Sequence, residues 1–274
     1  MGIDDLSKLR EKKVGLALSG GAARGLAHIG VLEVLKKEGV PIDMIAGTSA
    51  GAVAGAVYAW NQDVARMKEE VLAVNWLKLA PLFDLSLFKS GLIKGTKIKS
   101  LLASYVGGNI KFSDLKIPFA CVTSDIETGE EVVIDTGSVP EALRASISVP
   151  GIFAVVKREG RYLVDGGLTT PVPVQVVKKM GADFIIAVNV TPDASDRVKK
   201  RRKEPGIFHV IMQSIYITTY AMARHNLEDA DIVIEPDLSG IGAGDFKKAR
   251  ECVIRGEQAA RSAIPEIKRV LKNL

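Results

Sequence analysis

The sequence predicts an α/β fold built on a mostly parallel, mixed central sheet. Two observations carry this expectation: short continuous apolar runs of strand length, and helical patterns that fall between several of them. Strands covered on both faces read as uninterrupted apolar runs, and alternation of strand with helix is what a parallel sheet with crossover helices requires. A third observation adds an antiparallel element. The runs PFACVTS (118–124) and EVVIDTG (131–137) lie close enough to pair as a hairpin.

Taken in order, VGLALS (14–19) reads as the first strand, and GLAHIGVLEVLKKEG (25–39) has helical spacing with Gly39 as its stop. PIDMIAG (41–47) is a second short strand that leads into a small-residue helix running through Trp60. After the hairpin pair come RYLVDGG (161–167), the helical VPVQVVKKMG (172–181), FIIAVNV (184–190), an apolar helical region at 206–228 and DIVIEP (231–236). With no internal repeat and no boundary, the 274 residues read as a single domain, 1–274, whose motif-bearing part is 14–190 and whose remainder, 191–274, completes the fold. Two stretches break the pattern. WLKLAPLFDLSLFKSGLIKG (76–95) is apolar but irregular, either a loop covering the core or a lid facing an apolar substrate. TPDASDRVKKRRKEPG (191–206) carries five consecutive basic residues, Lys199 to Lys203, and is either a solvated loop or a contact for an anionic surface.

Composition narrows the function classes. Charged residues make up 25%, the norm for globular proteins, and the net charge of +5 suggests at most a preference for anionic surfaces or ligands. Aromatics are only 5% and no basic stretch is interleaved with them, so nucleic acid is not an expected partner. Two distant cysteines, Cys121 and Cys252, form no disulfide framework, which fits a reducing compartment. The polar start MGIDDLSKLREKK has no signal-peptide pattern, and Leu6 stands where a myristoylation motif needs Ser or Thr. Apolar runs fall short of a bilayer span. The expectation is a cytoplasmic protein, with peripheral contact to an anionic membrane left open and no pattern that sets the oligomeric state.

Residues 47–51 spell G-x-S-x-G around Ser49 and make the only such match in the chain. The setting is strand, tight turn, small-residue helix, which is what a nucleophile elbow requires. Gly47 and Gly51 are demanded on steric grounds, because a tight turn at the serine brings neighbouring main chain close. The helix that follows aims its free amides and positive dipole end at the serine, favouring an alkoxide or oxyanion there. The bland alternative is a packing turn with an N-cap serine. A second glycine turn, SGGAARG (19–25), opens the first helix. It lacks the dinucleotide spacing, and Leu26 and Ala27 occupy the positions where a phosphate-binding loop needs Lys and Ser/Thr. Its amides, from Gly20, Gly21 and Ala22, suit an oxyanion hole beside Ser49. Arg24 in that loop either holds the loop or meets an anionic headgroup.

A serine nucleophile needs a base. Of three histidines, His28 lies inside the first helical pattern, while His209 and His225 lie in the apolar helical region; a Ser49–Asp165–His209 or –His225 triad is allowed in order, though neither histidine sits in a loop after a late strand. Asp165 is the better candidate. It ends the run RYLV ahead of Gly166 and Gly167, where another side chain can approach it, and a desolvated, aligned carboxylate accepts a hydroxyl proton directly.

SGGAARGLAHIGVLEVL, GTSAGA, SISVPGIF (146–153) and VDGG, in that order, resemble the bacterial branch of the patatin-like phospholipase family. The resemblance covers residues 14 to about 190. It implies a three-layer α/β/α sandwich and a serine acyl hydrolase acting on a lipid or other acyl ester. Ser49 would be the nucleophile and Asp165 the base of a Ser–Asp dyad. Gly20, Gly21 and Ala22 would supply the oxyanion amides, with Arg24 and Gly25 in the same loop. It also implies neither metal nor other cofactor, in keeping with the lack of clustered metal-ligand spacing.

Other readings fare worse. D-T-G-S at Asp135 matches an aspartic-protease signature, but it occurs once and in an α/β setting. Ser86 and Lys89 form S-x-x-K without the partner motifs of that chemistry. A lipid- or partner-binding regulator that kept the fold without the activity is the non-enzymatic alternative.

Overall fold

The computed structural model describes residues 12–74, 95–191, 204 and 206–272; most of the apolar segment (76–94), the basic run Lys199–Lys203, Ser86 with Lys89, and the side chain of His209 lie outside the described residues. The strands are β1 (Val14–Leu18), β2 (Met44–Thr48), β3 (Phe119–Asp125), β4 (Glu131–Ile134), β5 (Val156–Arg158), β6 (Arg161–Asp165), β7 (Phe184–Val188) and β8 (Ile232–Ile234). They form one sheet in the order β5-β6-β3-β2-β1-β7-β8, with β4 paired to β3 off that path. Pairings among β1, β2, β3, β7 and β8 are parallel, while β3–β4, β3–β6 and β5–β6 are antiparallel.

The helices are α1 (Ala27–Lys37), α2 (Ala50–Asn61), α3 (Val64–Ala73), α4 (Gly95–Tyr105), α5 (Val139–Ser146), α6 (Val174–Lys179), α7 (Ile207–Asn226) and α8 (Ala249–Leu271). Strand side chains divide them into layers by the period of two. Leu16, Leu18, Ile45, Phe119, Cys121, Ile186 and Val188 point into a core shared with α1, α2, α5 and α8. Ala17, Met44, Ala46, Ala120, Val122, Ile185 and Ala187 point to the other face, against Val174, Val176 and Val177 of α6 and Ala223 of α7. The result is the three-layer α/β/α sandwich with a mixed, mostly parallel sheet.

The C-terminal third contributes more than its sequence suggested. α8 crosses α1 so closely that a Cβ on Gly30 would lie 2.0 Å from the Val253 carbonyl oxygen, and one on Gly256 would lie 2.1 Å from that of Ala27. Lys68 of α3 bridges Glu33 of α1 and Glu257 of α8, tying three helices at the surface. The sheet's strand order reverses at β1, whose neighbours β2 and β7 lie on opposite sides. Open α/β sheets bind ligands in the crevice at the carboxyl ends of such strands, and the Ser49 turn and the glycine loop both leave the sheet there.

Candidate active site

Strand register brings the two key residues together. β2 runs parallel to β3 and β6 antiparallel to it, so β2 and β6 run toward each other. Thr48 pairs with Val122 and Asp165 with the next residue, Thr123. Ser49 and Asp165 therefore meet although 116 residues separate them, and Ser49 Oγ donates to Asp165 Oδ2 at 2.6 Å. No ring lies between hydroxyl and carboxylate. Both residues are buried, at 8% and 7% exposure. Asp165 Oδ1 accepts the Gly167 N–H at 2.8 Å, which fixes the carboxylate plane. Burial pushes the Asp165 carboxyl up to about 6, against the opposing pull of the bonds from Ser49 and Gly167.

Ser49 has φ +52°, a left-handed backbone unusual for a residue with a side chain. The turn closes because its glycines touch main chain. A Cβ on Gly47 would lie 2.5 Å from the Ala52 Cα, and one on Gly51 would lie 2.3 Å from the Leu18 carbonyl oxygen. Gly166 meets the same limit, 2.4 Å from the Val122 carbonyl oxygen. The Ser49 N–H donates to Ser146 Oγ at 2.8 Å, and Ser146 Oγ in turn donates to the Val122 carbonyl at 2.6 Å. The Asp165 N–H donates to the Ser148 carbonyl at 3.0 Å. The end of α5 and the turn after it thus hold the main chain of both residues, a role that sequence reading missed. Its only trace in the sequence is a pair of serines alternating with apolar residues in ASISVP.

The glycine loop lies where expected, but its donors are distributed differently. Gly20, expected as an oxyanion donor, gives its N–H to the Pro171 carbonyl at 3.0 Å. The N–H groups of Gly21 and Ala22 have no hydrogen-bond partner among the described residues. Ala22, like Ser49, has positive φ, +50°. Arg24 takes the loop-holding role of the two left open by its sequence. It is 5% exposed and donates to the carbonyls of Val190, Thr191 and Ile241, which leaves no exposed guanidinium for a headgroup. A Cβ on Gly25 would lie 2.4 Å from that of Ala50, so the loop packs directly on the start of α2.

The histidines with described side chains serve elsewhere. His28 is fully buried with Nε2 2.9 Å from the Ser19 carbonyl oxygen, and burial pushes it down to about 4, so it is a neutral donor to the first residue of the glycine loop. His225 is exposed, with Nδ1 3.1 Å from Glu228 Oε1. Asp135 of the D-T-G-S match lies exposed after β4.

Ser49 and Ala22 open onto a cavity of about 280 Å³ with an almost wholly apolar wall. Val53 and Val57 of α2, Met67 of α3, Leu102 of α4, Phe153 of the SISVPGIF segment and Tyr216 of α7 are among its lining residues. Tyr216 comes from the apolar helical region 206–228, whereas nothing in the sequence pointed to the contributions of α2, α3 and α4. Among the described residues, no helix is long and apolar enough to cross a membrane.

Comparison with known proteins gives this geometry its relatives. A family model described as Patatin-like phospholipase matches residues 16–178. An uncharacterized NTE family protein of Mycobacterium tuberculosis is 30% identical over 281 residues, covering 94% of this chain and 47% of that protein. Patatin-like phospholipase domain-containing protein 6 of Mus musculus is 34% identical over 184 residues, covering 65% of this chain and 13% of its own length. The chain thus spans about half the length of the mycobacterial relative. Among solved structures, VipD from Legionella pneumophila has a TM-score of 0.64 at 13% identity, covering 94% of this chain and 67% of that one; this is a likeness of fold. With the matched residues running from β1 through the glycine loop, the Ser49 turn and the Asp165 strand end, and taking in more than half of the sequence, the chain belongs to the patatin-like phospholipase family.

Proposed function

We propose that this chain is a serine acyl hydrolase acting on a lipid ester through a Ser49–Asp165 dyad. The observation that carries the reading is the direct 2.6 Å bond between Ser49 Oγ and Asp165 Oδ2, buried at the end of an apolar cavity. Asp165 takes the Ser49 proton as the oxygen attacks the ester carbonyl. Negative charge on the carbonyl oxygen is met by the N–H groups of Gly21 and Ala22, which have no other partner among the described residues. Collapse of the tetrahedral species breaks the ester bond, and the Asp165 proton passes to the departing alkoxide. Asp165 then deprotonates a water that attacks the acyl-enzyme, releasing the fatty acid and restoring Ser49. The almost wholly apolar wall suits an acyl chain.

The test is turnover of p-nitrophenyl esters of graded chain length together with labelling by a serine-directed fluorophosphonate. Turnover, with label on Ser49, is expected. A protein that neither turns over any ester nor takes the label is a binding protein, and the proposal falls.

The pH profile is a further prediction. Asp165 works as a base only when ionised, and its carboxyl titrates at about 6. The kcat/KM for a soluble ester is expected to be level above that pH and to fall about tenfold per unit below it. A profile level down to pH 4.5 would remove Asp165 from the role.

Ser146 supplies a separate prediction. Ser146→Ala leaves the Ser49 N–H without its buried acceptor and frees the strained turn. The kcat is expected to drop about 10–100-fold, with KM little changed. Unaltered kcat in a folded variant would show that the turn holds itself.

A further inference from the structure

α7 is almost free of charge around its circumference, and among the described residues protein covers only one side of it. Between Glu204 and Arg224 it carries no Asp, Glu, Lys or Arg. On its inner side Met212 and Ala223 are buried, Tyr216 borders the cavity at Ser49, and Thr219 Oγ1 donates to the Gly167 carbonyl at 3.2 Å. On its outer side Ile207, Val210, Ile211 and Ile217 stand 77%, 44%, 50% and 51% exposed, in a stripe with helical spacing. The hydroxyls on that stripe do not need water. Ser214 Oγ donates to the Val210 carbonyl at 2.9 Å and Thr218 Oγ1 to the Ser214 carbonyl at 3.0 Å. A surface helix normally turns a charged face to solvent, and a helix apolar on all sides is normally covered on all sides.

Three observations identify what covers it. Among the described residues no helix is long and apolar enough to span a bilayer, so α7 can lie along a lipid surface but not cross one. The same helix has its inner side on the cavity and on the Gly166–Gly167 turn, so a layer seated on the outer stripe lies one helix away from the site. Finally, the net charge of +5 favours anionic surfaces. We propose that the outer stripe of α7 docks the protein on an anionic phospholipid bilayer, setting the Ser49 cavity against the layer that holds its substrate. The choice of lipid as the occupant rests on the acyl-hydrolase reading above.

The test uses the full chain and vesicles of phosphatidylcholine with phosphatidylglycerol. Wild type is expected to float with the vesicles. The double variant Ile211→Glu, Ile217→Glu is expected to lose at least about tenfold in partitioning, with loss of vesicle-phospholipid hydrolysis to match. Its turnover of a soluble short-chain p-nitrophenyl ester is expected to stay at the wild-type level, since neither residue lines the cavity. Ile217→Ser, which adds no charge, should show the same trend more weakly. Unchanged flotation of both variants overturns the proposal. So does a wild-type dimer that the variants convert to monomer without change in vesicle binding, because the stripe is then an interface between copies. Flotation that the variants abolish, in a protein inert to every ester, upholds the docking face and removes the hydrolase reading alone.

Discussion

Asp165→Asn is expected to lower kcat by about four orders of magnitude while the protein stays folded. The amide keeps the shape of the carboxylate, though its single oxygen accepts from Ser49 or from Gly167 and not from both; it takes no proton, so the attacking oxygen remains a hydroxyl. Ser49→Ala should match it, because members of such a unit are not additive. The stability effect runs the other way. Burial raises the Asp165 carboxyl from 3.8 to about 6 in the folded protein. Between those values the folded chain holds a proton that the unfolded chain has released. Stability therefore falls as pH rises through that window and stays lowered above it, by roughly 3 kcal/mol. Asparagine is neutral throughout and avoids this cost. At pH 8 the melting temperature of Asp165→Asn is expected to exceed that of wild type by several degrees, even as turnover disappears. Thermal melts at pH 4.5 and pH 8 with single-substrate kinetics check both halves. An Asp165→Asn protein that keeps activity within tenfold of wild type would end the dyad assignment.

This opposition explains what the sequence made legible. Gly47, Gly51 and Gly166 stand where a Cβ would strike main chain, so the chain advertises these turns in its residue types. The apolar runs VGLAL, MIAGT, FACVTSD and FIIAV mark strands buried on both faces. What stayed hidden depends on partners far along the chain. The pairings Thr48 with Val122 and Asp165 with Thr123 decide that Ser49 and Asp165 meet, and no local pattern encodes them. Gly20 looks like an equal member of its loop until Pro171 claims its N–H. Arg24 looks like a ligand for an anion until three carbonyls close around it. α8 carries no named motif, yet Gly256 admits it against α1 at main-chain distance. The cavity wall is assembled from α2, α3, α4, α7 and the segment after α5, so no single stretch announces it.

A large effect on folding and turnover together is expected from adding one methyl group at Gly51. The Cβ of Gly51→Ala would lie 2.3 Å from the Leu18 carbonyl oxygen and 2.5 Å from that of Ser19. Neither atom can give way easily. Leu18 pairs with Gly47 on one side and Val188 on the other, and Ser19 gives its N–H to the Val188 carbonyl. The start of α2 must retreat instead, and it carries Ser49 with it. Overpacking against rigid main chain costs about 3 kcal/mol, which corresponds to a fall of ~6–12 °C in Tm for a chain of this size. Turnover should fall by at least about 100-fold below Tm, because a displacement near 1 Å breaks the alignment of Ser49 with Asp165. Gly206→Ala is the control: nothing lies within 4 Å of its Cβ, and stability should change by no more than about 0.5 kcal/mol. If Gly51→Ala melts and turns over like wild type, the turn yields where the close contacts say it is rigid, and the steric account of the G-x-S-x-G frame is wrong.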